Sequence, residues 1–214
     1  MPDTAAYSET EEKIFLAALE EFSRNGRQGA RLQDIADRAG INKALIHYYF
    51  RSKDRLYNDV FTFVIRRYFL QMGETIRPGD SFETTLRDFV DRYIDLLDEN
   101  PALPFFILRD IAEGAPMMSE KVGEVLLPHA GNIPHRFTES CERAARDGEI
   151  RPIDSVQTLI TVMGACIYFF AGYPVLSAAI PRLKRQRRRF LRERKQHIVD
   201  IVYYGLKPRP EESE

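Results

Sequence analysis

The sequence predicts an all-α protein, and three observations predict it. Apolar residues recur at three- and four-residue steps along most of the chain, two-residue alternation between hairpin turns is missing, and capping residues alternate with Gly and Pro stops. With 214 residues and 44% hydrophobic content, the chain can bury one large core or two small ones.

Each element follows from its own signals. Residues 11–24 carry Ile14, Ala18 and Phe22 along one stripe with Phe15 and Leu19 beside it, and Asn25-Gly26 supplies a stop. A short helix over 32–39 ends at Gly40, and Asn42 caps another that runs to Phe50. Ser52 caps a long helix over 53–76, closed by Pro78-Gly79, and Ser81 caps the next, which ends near Glu99. After Asn100-Pro101, a helix over 105–113 is closed by Gly114 and Pro116. Residues 117–127 and 134–146 read as a helix interrupted around Pro128 and Gly131 and ended by Asp147-Gly148. Two long helices, 153–179 and 183–206, finish the chain, and a short polar tail starts at Pro208.

Charge is informative only by segment. The formal net charge of -1 argues against indiscriminate polyanion binding, yet residues 3–21 hold six acids and one base whereas 24–55 hold eight bases and three acids. A surface facing phosphates belongs in the second stretch. Cys141 and Cys166 form no CxxC pair and the N-terminus is polar, which predicts buried thiols in a reducing compartment, the cytoplasm.

The basic stretch contains the parts of a helix-turn-helix. Ile35, Ala36, Ala39, Gly40, Ile41, Ile46 and Phe50 fit two short helices locked at a steep angle around a small turn. With Ile46 and Phe50 inward, Lys43, Ala44, Leu45, His47 and Tyr48 turn outward toward a groove. That face combines a cation, an apolar group able to touch a thymine methyl, and hydrogen-bonding rings. Lys53 opens the following helix, where its ammonium and the first amides can meet a phosphate.

The run RLQDIADRAGINKALIHYYFRSKDRLY, preceded by IFLAALEEFSRNG, resembles the DNA-binding region of the tetracycline-repressor (TetR) family over residues 14–56. The resemblance implies a recognition helix over 43–49, with Tyr49 and Lys53 on phosphates. The expected DNA-contacting set is Arg31, Gln33, Asn42, Lys43, Ala44, Leu45, His47, Tyr48, Tyr49 and Lys53. Arg31 stands where the family usually carries a capping threonine, Ala44 replaces its common glycine, Leu45 its threonine and His47 its tyrosine. An operator of the chain's own follows from those departures.

The resemblance further implies domains over 1–52 for DNA binding and 53–207 for effector binding and dimerisation, with a tail over 208–214. It implies a pocket for a small-molecule effector among the second domain's large side chains, each of which also fits an ordinary core. Candidates are Tyr68, Met72, Phe89, Tyr93 and Phe106, followed by Arg109, Met118, Met163 and Phe170. Arg109, four residues before Glu113, is either an anchor for the effector or half of a surface ion pair.

Residues 155–181 carry no charge and precede nine bases and one acid over 182–195, the length and flank of a membrane anchor. Gln157, Thr158, Thr161 and Pro174 disfavour a span, and a helix apolar all round also suits a bundle that meets a dimer partner. The resemblance implies the latter, a homodimer through the last two helices in which Gly164, Ala165, Ala171 and Gly172 permit close approach. The basic run reads as a solvated helix face, or else as a surface for an acidic partner, a lipid or an anionic effector.

His129, His135 and Cys141, at six-residue steps, match no zinc spacing, so no metal or cofactor is expected. GxSxG, HExxH, Walker and dinucleotide motifs are missing, so neither is an enzyme. The reading is a cytoplasmic, effector-released repressor that binds palindromic double-stranded operator DNA as a homodimer without a membrane; the alternative is a membrane-anchored DNA-binding protein using 155–181.

Overall fold

A computed structural model describes residues 7–129 and 132–208, and among them helices account for all regular structure. The chain packs into two compact units. Unit 1 comprises the residues up to Arg67 together with Pro101–Leu126, and unit 2 comprises Tyr68–Asn100 and the residues from Leu127 onward. Gly131 and residues 209–214, and with them most of the expected tail, lie outside the described residues.

In unit 1, α1 (Glu9–Gly29) starts at a capping box: Ser8 Oγ accepts from the Glu11 amide while the Glu11 carboxylate accepts from the Ser8 amide. It continues past the expected stop at Asn25-Gly26, which appears as a kink, with Gly26 at φ 67° and ψ 175°. Next come α2 (Leu32–Ala39), closed by Gly40 in the left-handed conformation, and α3 (Lys43–Phe50), capped by Asn42 on the Ala44 amide. Both bounds agree with the sequence reading.

Ser52 caps α4 (Lys53–Val64) as expected, and the helical backbone runs on to Gly73, three residues short of the expected end at Ile76. A π-helical stretch, Ile65–Leu70, follows it, and α5 (Gln71–Gly73) is one short turn. Such a stretch widens the helix locally, and no Gly or Pro over residues 65–70 announces it. The chain passes from unit 1 to unit 2 inside it.

Unit 2 continues with α6 (Phe82–Glu99), capped by Ser81 on the Thr84 amide. The chain then returns to unit 1 for α7 (Ala102–Ala112), three residues earlier than expected because Pro101 and Pro104 fall where a helix has no amide partners to lose. After Ala115, at φ 56°, α8 (Pro116–Lys121) passes into a second π-helical stretch, Val122–Leu126. Asp110 is buried and holds this corner by accepting from the Met117 and Met118 amides at 3.3 and 2.8 Å.

The rest of unit 2 is α9 (Ile133–Arg146), α10 (Ser155–Ala179), α11 (Arg182–Arg185) and α12 (Arg187–Leu206). Pro174 is carried inside α10, and Gln186 breaks the expected last helix in two. α6 packs against α9, α10 and α12 around Phe82, Phe89, Phe137, Cys141, Val162 and Cys166, all buried. Fully burying one such phenylalanine stabilises a fold by roughly 1.5–3 kcal/mol.

Candidate nucleic-acid interface and effector region

The core of unit 1 fixes which face of α3 is free. Ile46 and Phe50 are buried, the latter edge-on to Phe15 with ring centres 5.3 Å apart, and Phe15 stacks on Phe63 at 4.9 Å. With those two positions inward, Lys43, Ala44, Leu45, His47 and Tyr48 are exposed, Tyr48 to 79%. Tyr49 is half-buried beside Phe50, and its ring also meets Tyr48 edge-on at 5.4 Å. Gln33 is exposed on α2 and donates to Asp37 at 2.8 Å, and Arg31 is exposed at the start of α2, where its side chain caps nothing.

The bases of this region divide by their partners. Arg24 pairs with Glu20, Arg27 with Asp54, Arg38 with Glu20 and Glu21, and Arg55 with Asp59. The Asp54 carboxylate, hydrogen-bonded to Arg27, is held below its ordinary pKa. Arg31, Lys43 and Arg51 are exposed and have no acidic partner among the described residues. Unpaired cations therefore flank the free face of α3 on both sides. Arg51 was not among the expected contacts; it closes α3 at φ 61°, a conformation that no sequence signal announced.

Lys53 is turned inward. Its ammonium donates to the carbonyls of Gln28 and Ala30 at 2.9 and 3.1 Å, at the negative end of α1. Of its three donors one is left over, so the side chain joins α1 to α4 at the edge of the basic face.

The effector candidates fall in both units. Unit 2 holds Tyr68, Met72, Phe89, Tyr93 and Phe170, all buried, and Met163, half-buried. Phe89 lies 5.8 Å from Tyr93 and 5.5 Å from Phe137, while the Tyr68 hydroxyl donates to Asn100 at 2.8 Å. Unit 1 holds Phe106, Arg109 and Met118. Phe106 packs on Phe61 at 4.3 Å and Tyr57 at 5.7 Å. Arg109 is exposed and donates to the Ser23 and Arg24 carbonyls at 3.4 and 3.2 Å, so the last turn before the kink of α1 takes up its guanidinium.

On α10, Val156, Ile160, Gly164, Tyr168 and Val175 form an exposed stripe, while Leu159, Val162, Cys166 and Phe169 on the opposite face enter the core of unit 2. Ile201 and Tyr204 are likewise exposed on α12. The helix is long and apolar enough to cross a membrane, but one of its faces is used in packing against α6 and α9.

Two short helices around a left-handed glycine, an outward reading face and flanking free cations define a helix-turn-helix DNA-binding protein. Residues 14–60 match the model of bacterial regulatory proteins of the tetR family. The chain is 32% identical to the HTH-type transcriptional repressor SCO4008 of Streptomyces coelicolor over 67% of each chain, and it belongs to the TetR family of transcriptional regulators. It is also 23% identical to the HTH-type transcriptional regulator RutR of Escherichia coli K12, over 95% of this chain and 93% of that one. Among solved structures, the transcriptional regulator FadR from Bacillus subtilis in complex with stearoyl-CoA has the same fold, with a TM-score of 0.67, 17% identity and coverage of 91% and 98% of the two chains. The membrane-anchored alternative gains nothing from these relatives, which are described as transcriptional regulators.

Proposed function

We propose that this chain is a homodimeric, ligand-responsive repressor of the cytoplasm whose two α3 helices enter successive major grooves of a palindromic operator. The single observation that carries this reading is the exposed face of α3 between unpaired Arg31, Lys43 and Arg51. Lys43, Leu45, His47 and Tyr48 read base edges in this scheme, while Arg31, Gln33, Asn42, Tyr49 and Lys53, together with Arg51, hold the phosphate backbone. Leu45 favours a thymine methyl, and His47 supplies a donor or an acceptor.

Dimerisation is assigned to the α10 stripe and to Ile201 and Tyr204 of α12. Apolar side chains as exposed as Ile160 (59%) and Ile201 (62%) on neighbouring helices of one unit are what an isologous interface buries. Release is assigned to an effector that seats among Tyr68, Met72, Phe89, Tyr93, Met163 and Phe170, large side chains of unit 2 that include two hydroxyls. The FadR neighbour holds stearoyl-CoA, which supports a small-molecule effector as the class without naming this one. To release DNA the effector must bind the non-binding conformation more tightly, acting on α4 through the Ile65–Leu70 stretch. Mobility shift of a palindromic fragment from the chain's own promoter region tests the reading: selective binding at physiological salt supports it, and equal binding of any duplex refutes it.

A further inference from the structure

The basic run that opens the last helices is sorted by the structure into two sets. Arg187 pairs with Asp98 and lies 5.4 Å from the centre of the Tyr173 ring, Arg189 pairs with Glu193, Arg194 donates to the Ala165 carbonyl, and Lys195 pairs with Asp95. Arg182, Lys184, Arg185, Arg188 and Arg192 are exposed and have no acidic partner among the described residues. Five like charges within three turns repel one another, and in a chain of net charge -1 nothing in overall composition requires them to be left free.

Their position is also defined. The Arg187 pair with Asp98 sets this run against the C-terminal end of α6 within unit 2. Apolar residues between the cations face inward: Leu183 is buried, and Phe190 stacks on Phe169 at 5.1 Å. No large apolar side chain over residues 182–195 is exposed, so this surface offers charge alone. Four of the five are arginines, whose planar donors engage phosphate oxygens in pairs.

We propose that Arg182, Lys184, Arg185, Arg188 and Arg192 form a second, sequence-independent nucleic-acid contact that grips the phosphate backbone of duplex DNA. The inference rests on the DNA-binding reading above and adds to it a surface on α11 and α12. It supplies affinity and salt dependence without specificity, since phosphates carry no sequence.

The test is fluorescence anisotropy of the full-length protein on a random-sequence duplex and on a duplex containing the operator, across a potassium chloride series. The variant carries Arg182→Gln, Lys184→Gln, Arg185→Gln, Arg188→Gln and Arg192→Gln, with folding checked by circular dichroism. The control is Arg189→Gln, whose cation is already paired. The slope of log affinity against log salt should become shallower by about three to four and a half units per chain bound, at about 0.9 per phosphate released, on both duplexes, with sequence preference retained. The control should keep the wild-type slope. An unchanged slope in the five-site variant, with operator selectivity intact, overturns this inference and leaves the repressor reading standing. A wild-type protein that binds no duplex overturns both. Loss of binding to phosphatidylserine vesicles with unchanged DNA binding assigns the patch to lipid and also overturns it.

Discussion

Arg109 closes over Gly26: a Cβ built on that glycine stands 3.1 Å from the guanidinium Nη1, and the same guanidinium holds the Ser23 and Arg24 carbonyls. The kink of α1 is thus fixed from two directions, by a backbone that glycine alone adopts readily and by a side chain from α7. Gly26→Ala is expected to destabilise the chain by about 1–3 kcal/mol in urea unfolding, from the positive φ and the forced shift of Arg109. Wild-type stability in that variant would show that the kink relaxes without cost.

Arg109→Ala separates two roles. As a tie on the last turn before the kink, it should lower stability by about 1 kcal/mol and leave the effector response unchanged. An abolished response with unaltered stability would make Arg109 an effector anchor after all.

The stripe on α10 and α12 sets oligomeric state in this account. Ile160→Asp and Ile201→Glu place a charge at the centre of the expected interface, where pairing would desolvate it. Sedimentation equilibrium should show monomers for both and, because two half-sites bind together, operator affinity down by at least about a hundredfold. Dimers of unchanged affinity would remove these helices from the interface.

The two thiols give a pH dependence with a definite sign. Burial pushes Cys141 and Cys166 up to about 12 from an ordinary 9.0. Because the folded state favours the neutral thiol, this contribution is complete below pH 9 and is lost as pH rises from 9 toward 12. Urea unfolding should give stability falling over that window, less steeply in the Cys141→Ala, Cys166→Ala variant. Ellman's reagent should leave both thiols unmodified at pH 7.5 until the chain unfolds; rapid modification of the native protein would contradict their burial.

Local chemistry made much of the fold legible in advance. Asn42, Ser52 and Ser81 each cap a helix that begins where the side-chain pattern put it, because a cap and its first turn are adjacent in sequence. The π-helical stretch at Ile65–Leu70 was hidden, since no Gly or Pro within it announces a change of turn. The Gln186 break was hidden because its neighbours are all good helix formers. At the candidate interface, the free face of α3 was readable from Ile46 and Phe50. Which bases remain unpaired was not: Arg27 finds Asp54 and Arg38 finds Glu20 across distances in sequence that only the fold brings together. For the same reason Arg51 was passed over and the inward turn of Lys53 unforeseen.

The central claim is that the exposed face of α3 reads an operator, and Tyr48→Ala with Lys43→Ala tests it most directly. Tyr48 is exposed and meets the ring of neighbouring Tyr49, and Lys43 has no acidic partner among the described residues, so the fold should melt as wild type. Competition of operator against random duplex, at about 0.15 M salt, should show wild-type preference of about a thousandfold or more, reduced at least about tenfold in the variant. Equal preference in the two proteins, or none in the wild type, would contradict the account.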